Sequence, residues 1–229
     1  MQTEQIYYPS LDSIKSALKN LSGVAFETPL GKNFNMSKEL DATILFKRED
    51  LQVVRSYKIR GAYNKMSSLN DVEKKLGIVC ASAGNHAQGV ALSCKLLQIK
   101  GTIFMPSPTP NQKINQVKMF GEDFINIVLE GDTFDDAFNA AKLECDAKNK
   151  IFIHPFNDQK VIEGQATVGL EILSQTDKKI DYVFVPVGGG GLSAGLSSVF
   201  KYLSPETKII GVEPEGAPSM LTSIRNQKN

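Results

Sequence analysis

The chain has 229 residues, 41% of them hydrophobic and 22% charged, with a formal net charge of +1. That length allows one large domain or two small ones with real cores, and the even charge balance argues against a nucleic-acid footprint or a membrane-surface face. No apolar run approaches the roughly 18 residues of a membrane span, and the N-terminus MQTEQIYYPSLDS lacks the basic start and apolar core of a secretory signal.

Short β-rich runs alternate with helical patterns along the chain. The first strand is expected at TILFKRE (43–49), followed by a helix over 56–69 for which Ser56 is the expected N-cap. Next come the strand GIVCAS (77–82), a helix at 85–98, the strand GTIFMP (101–106) and a helix at 111–119. After the strand DFINIVLE (123–130), the clearest helix covers 132–149: Asp132 is placed to cap it, and Phe134, Ala137, Phe138, Ala141 and Cys145 recur at helical spacing. The strand KIFIHPF (150–156), a helix at 161–175, the strand DYVFVPV (181–187), a helix at 192–203 and the strand TKIIGVE (207–213) complete the alternation. Strands and helices alternating on this scale predict an α/β fold of parallel sheets covered by helices. Cys80, Cys94 and Cys145 are few and odd in number. They read as buried free thiols of a reducing cytoplasm, not a disulfide frame or a metal site.

Three stretches carry chemistry. In VFVPVGGGGLSAG four consecutive glycines, Gly188 to Gly191, lie between a strand and a helix. Free backbone N–H groups and the helix dipole favour an anion there, most often phosphate. A nucleotide P-loop is excluded, since Leu192 and Ser193 follow where a Lys-Ser/Thr pair is required. A dinucleotide site remains open: Gly189, Gly191 and Ala194 fit G-x-G-x-x-G/A, and Glu213 ends the next strand at the spacing of a ribose contact. The third reading is a phosphate-bearing cofactor whose reactive end is held elsewhere. In RSYKIRGAYNKM, Lys58 and Arg60 fall in the first turn of a helix, where the dipole disfavours cations. The bland reading is a pair of surface residues. The sharper one is that the neutral amine of Lys58, favoured by the same dipole, attacks a carbonyl. In IVCASAGNHAQGVAL, Ser82, Gly84 and Asn85 form a turn before a helix, a second anion seat suited to a carboxylate. Asn85 offers both a donor and an acceptor, while His86 reads more readily as structural than as a base.

Together, SYKIRGAYN, ASAGNHAQGVA and VPVGGGGLSAG, with KRED ahead of the lysine and IEGQATVGLEI between, closely resemble the threonine dehydratase (threonine ammonia-lyase) group of the tryptophan-synthase-β-like pyridoxal-phosphate enzymes. The resemblance extends over essentially the whole chain. It implies pyridoxal 5′-phosphate as cofactor and two three-layer parallel-sheet domains. Residues 1–54 and 151–229 would form the large cofactor-binding domain, incomplete here, and residues 55–150 the small domain. It implies Lys58 as the Schiff-base lysine and proton shuttle at Cα, Tyr57 beside the cofactor, and Asn85 on its 3′-hydroxyl. Gly188, Gly189, Gly190, Gly191 and Leu192 would hold the phosphate, while Ser82, Ala83, Gly84 and His86 would line the substrate-carboxylate loop. The implied reaction turns L-threonine into 2-oxobutanoate and ammonia, or L-serine into pyruvate, in isoleucine biosynthesis or threonine catabolism. The implied setting is a cytoplasmic homo-oligomer at full length, with no membrane or nucleic-acid partner.

The chain also departs from the family. Serine racemases of the group carry a serine hydroxyl where this chain has Ala83, which disfavours racemisation. They place a carboxylate near a bound cation where this chain has Ser219, so no metal is expected. Glu163 and Ala166 stand where relatives more often show Ala and Gly, with no function attached to either. The chain ends at LTSIRNQKN, short of family length, so the residue bonding the pyridine nitrogen is expected beyond it. An inactive fragment that keeps the phosphate cradle is therefore a further reading.

Overall fold

The structure, a computed structural model, describes residues 7–226. Its centre is a four-stranded parallel sheet of β3 (Ile78–Ala81), β4 (Gly101–Met105), β5 (Ile125–Leu129) and β6 (Ile151–Phe152), in the order β5-β4-β3-β6. The register sets Ile78 against both Gly101 and Ile151, and Gly101 against Ile125. Every residue of β3 and β4 is buried, as expected of parallel strands covered on both faces. Successive side chains point to opposite faces, and the core divides accordingly. Ile78, Cys80, Ile103 and Met105 pack under α3 (Lys58–Ser67), α5 (Asn85–Leu97) and α6 (Asn111–Gly121). Val79, Ala81 and Phe104 pack on the other face against Ala137 and Ala141 of α7 (Phe134–Lys148).

A second parallel pair, β7 (Tyr182–Pro186) and β8 (Lys208–Val212), packs one face on α8 (Gln159–Ser174) and α9 (Gly191–Leu203). Val185, Val168, Ile172, Leu196 and Phe200 fill that interface. The helix α1 (Leu11–Asn20), capped by Ser10, adds Ile14 to a smaller cluster with Ala166 and Val199. The antiparallel pair β1 (Leu30–Lys32) and β2 (Leu45–Lys47) flanks α2 (Phe34–Glu39), and α4 (Asp71–Leu76) leads into β3. A last helix, α10 (Ser219–Asn226), follows β8. No helix among the described residues is long and apolar enough to cross a membrane.

Several local expectations are corrected. Ser56 does not cap α3. Tyr57 occupies the N-cap position with helical backbone angles, and the buried Ser56 hydroxyl has no hydrogen-bond partner. Thr133, not Asp132, caps α7, because Asp136 three residues on returns a bond to the Thr133 N–H and closes a capping box. The strand expected at 150–156 is only Ile151–Phe152. Beyond it, Nδ1 of His154 accepts the N–H groups of Phe156 (3.2 Å) and Asn157 (2.8 Å), and Pro155 cannot donate to a ladder. The strand expected at 43–49 shortens to Leu45–Lys47, and Glu49–Leu51 forms a turn of 3-10 helix. Of the three cysteines, Cys80 and Cys94 are buried but Cys145 is only half-buried.

Arg60 is not a surface residue either. It has no exposed area, and its guanidinium bonds Glu49 and Glu171, the Thr167 hydroxyl and the Phe26 carbonyl. Lys47 reaches the same Glu171 carboxylate at 2.5 Å. The KRED segment and the far end of α8 are thus fastened to the lysine-bearing helix through one buried ionic cluster.

Candidate active site

Lys58 is the first residue of α3, and α5 crosses that helix start at Gly89. A Cβ on Gly89 would come within 3.0 Å of the Lys58 backbone, so the bare glycine sets the approach of α5 to the lysine. The half-buried Lys58 amine donates to the Pro155 carbonyl at 2.7 Å, and its Nζ lies 5.4 Å from the Tyr57 ring centroid. Burial lowers the amine pKa from 10.5 to about 8, which raises its neutral fraction near neutral pH. The dipole argument from sequence points the same way.

Next along the chain, Ser82 follows β3 with its N–H on the Phe104 carbonyl, and its Oγ accepts the Gly84 N–H at 3.2 Å. The turn leads directly into α5, whose first-turn N–H groups need partners from outside the helix. Ser82, Ala83 and Gly84 are half-buried and Asn85 is exposed. Open space surrounds the position of a Cβ on Gly84. His86 is different: it is buried, and Nε2 lies 2.9 Å from the Ile153 carbonyl. A carbonyl only accepts, so Nε2 carries the proton and Nδ1 is left as a buried lone pair without a partner. Burial first, and the Lys58 charge second, push the imidazole pKa down to about 3. The His86 side chain is therefore a neutral structural tie; what it can offer a ligand is its backbone N–H.

The glycine run forms the third part. Gly188 and Gly189 are exposed, Gly190 has φ +85° and Gly191 opens α9. The Gly190 carbonyl accepts the Ala194 N–H and the Ser193 hydroxyl, both at 2.8 Å, leaving the first-turn N–H groups facing outward. A Cβ on Gly188 would meet nothing within 4 Å, so space for an anion exists beside its backbone.

What brings these parts together is a segment the sequence analysis did not single out, Ile153 to Asn157. Ile153 accepts from His86, Pro155 accepts from Lys58, and the Phe156 ring lies over Gly189. The His-Pro-aromatic sequence directly after a strand was the available signal, since Pro there marks a turn. A surface depression of about 630 Å³ lined by Lys32, Phe34, Lys38 and Asp41 contains none of these residues, and it joins no nucleophile to a backbone anion seat.

Glu213 is not free to bind a ribose. Its carboxylate accepts the N–H groups of Met220 (2.8 Å) and Leu221 (2.9 Å) at the start of α10, and the Ser219 hydroxyl lies 3.4 Å away. Glu163 and Ala166 also acquire structural roles. The Glu163 carboxylate accepts from the Tyr7 hydroxyl at 2.6 Å and pairs with Lys160. Ala166 meets Gly195 where α8 and α9 cross, so closely that a Cβ on the glycine would lie 2.8 Å from the Ala166 nitrogen.

An open backbone anion seat, an amine held partly neutral and a second set of helix-start N–H groups suit an aldehyde cofactor that also carries a phosphate. The comparisons agree. The chain is 52% identical over 219 residues to the biosynthetic L-threonine dehydratase IlvA of Halalkalibacterium halodurans, covering 95% of this chain and 52% of that protein. It therefore spans about half the length of the curated relatives it matches. The processed form of threonine deaminase isoform 2 from Solanum lycopersicum superposes with a TM-score of 0.88 at 43% identity, over 98% of this chain and 62% of that one. Maize serine racemase superposes with a TM-score of 0.91 at 32% identity, over 97% of this chain and 66% of that one. Residues 21–229 match the family described as pyridoxal-phosphate dependent enzymes, and the chain belongs to that family.

Proposed function

We propose that this chain carries the catalytic lysine and the cofactor seat of an L-threonine dehydratase, which converts L-threonine to 2-oxobutanoate and ammonia. The observation that supports it most strongly is the gathering of Lys58, the Ser82–His86 turn and the Gly188–Leu192 loop around Ile153–Asn157. When bound, pyridoxal phosphate supplies an electron sink for charge developing at the substrate Cα. The protein's own groups do the rest. The Lys58 amine would hold the cofactor at its carbonyl carbon and would serve as the base at the substrate Cα; a pKa lowered by burial to about 8 suits both roles. The N–H groups of Gly188 to Leu192 receive the phosphate, with the positive end of α9 behind them. Asn85, exposed at the start of α5, would bond a ring hydroxyl, and Tyr57 would lie beside the ring. Backbone N–H groups of the turn from Ser82 through Ala83 and Gly84 to His86 hold the substrate carboxylate.

The two-lobe division follows the same reading, with residues 55–150 bearing the lysine and residues 1–54 and 151–229 bearing the phosphate loop. A cytoplasmic setting, homo-oligomerisation and the use of L-serine also belong to it. A racemase is the competing activity, favoured by the close superposition on maize serine racemase. Against it, Ala83 has no hydroxyl with which to return a proton to the opposite face of Cα. The test is product analysis with L-threonine and L-serine, using keto-acid detection and chiral chromatography. Keto acid with little D-amino acid is the expected result, and abundant D-serine would overturn the assignment.

A further inference from the structure

The four glycines of the loop have different surroundings. A Cβ on Gly188 would meet open space, and Gly190 sits at φ +85°. Gly189 and Gly191 instead both face Phe156. A Cβ on Gly189 would fall inside the Phe156 ring, and one on Gly191 would lie 3.0 Å from the Phe156 Cα and carbonyl oxygen. Phe156 is itself held in place. Its N–H donates to Nδ1 of His154, its ring meets the His154 ring edge-on at 4.6 Å, and the preceding residue, Pro155, accepts the Lys58 amine. A run of glycines has little conformational preference of its own and needs an external template to hold one shape. A rigid aromatic ring lying on the bare backbone of Gly189 provides one.

We propose that Phe156 is the positioning residue of the phosphate seat: its ring sets the height of the Gly188–Gly191 loop relative to Lys58, and Gly189 and Gly191 lack side chains to admit it. Only Gly188 and the outward N–H groups then face the ligand. This inference rests on the pyridoxal-phosphate reading above and goes beyond it, because that reading gives Phe156 no part in holding the cofactor.

The role predicts an effect confined to the phosphate. Binding of pyridoxal phosphate and of pyridoxal, which lacks the phosphate, is titrated by absorbance on the 229-residue chain and its variants. In Phe156→Ala the preference for the phosphorylated form should fall by about tenfold or more, while pyridoxal binding changes little. Phe156→Leu, which keeps apolar bulk, should recover part of the preference. Gly189→Ala should lower the preference by displacing the ring from the other side, and it keeps the test decisive if Phe156→Ala does not fold. A merely structural role would weaken both ligands alike and leave their ratio unchanged. A wild-type preference that survives Phe156→Ala and Gly189→Ala overturns the role of Phe156 alone. A wild-type chain that binds the two forms equally overturns the phosphate-seat reading beneath it.

Discussion

Arg60 shows how much a single buried charge depends on its partners. Its guanidinium has no exposed area and is shared between Glu49 and Glu171, and Glu171 also receives Lys47. Replacing Glu171 with Ala takes from Lys47 its only carboxylate among the described residues and leaves Arg60 with Glu49 alone; removing one side of a buried pair costs about 3–5 kcal/mol. Urea unfolding should show that loss, whereas Asp50→Asn, at the exposed Arg48–Asp50 pair, should leave the midpoint unchanged. Lys58 behaves in the opposite sense. Its pKa in the folded chain is lowered from 10.5 to about 8 by burial, so between those values the unfolded chain binds more protons. Stability therefore rises with pH across that window, and the burial penalty is fully present below about pH 8. Lys58→Met should remove this rise from the pH dependence of the thermal midpoint. A wild-type curve parallel to that of the variant from pH 8 upward would contradict the lowered pKa.

The helices and strands that place these residues were legible where burial follows a period. The strands β3 and β4 appear as short apolar runs, and α7 as Ala137, Phe138, Ala141 and Cys145 at helical spacing, because each packs against a sheet face. The helices α2 and α4 were not anticipated: each has six residues and no buried side chain, and is held largely by an Asn cap. The helix α1 was missed although Ser10, Ile14 and Ala17 carry its signal. At the site, Lys58, Asn85 and the glycines stand out by type and position, but the Ile153–Asn157 joint does not. Its contributions are backbone carbonyls and an aromatic ring meeting partners far away in sequence, as with the Lys58–Pro155 bond across 97 residues. Residue periodicity contains no record of such contacts. The crossing of α3 and α8 is similar, since it depends on Gly164 lying against Gly61. A Cβ at Gly164 would come 2.5 Å from the Arg60 carbonyl and 2.7 Å from the Gly61 Cα, backbone atoms that cannot rotate away. Gly164→Ala should therefore force the helices apart at a cost of about 1–3 kcal/mol, read in urea unfolding. An unchanged midpoint would show that the crossing tolerates a wider gap.

In the whole molecule, the two parallel sheets are covered unequally. Both faces of the β3–β4 pair are buried, while the outer face of β7 and β8 presents Tyr182, Phe184, Ile210 and Val212 at 53%, 67%, 36% and 48% exposure. Parallel strands are rarely left bare on one face, and an apolar patch of this kind promotes association. Sedimentation of the 229-residue chain should show self-association that grows with concentration, and Phe184→Lys should shift it toward monomer without lowering the thermal midpoint. Association unaffected by that change would place the contact elsewhere. On the proposed reading, one lysine and one glycine loop, brought together around Ile153–Asn157, form a single cofactor seat. Borohydride reduction in the presence of pyridoxal phosphate, followed by peptide mapping, tests it most directly. One label is expected, on Lys58, suppressed by competing inorganic phosphate; label on Lys47, Lys65 or many lysines alike would contradict a single seat.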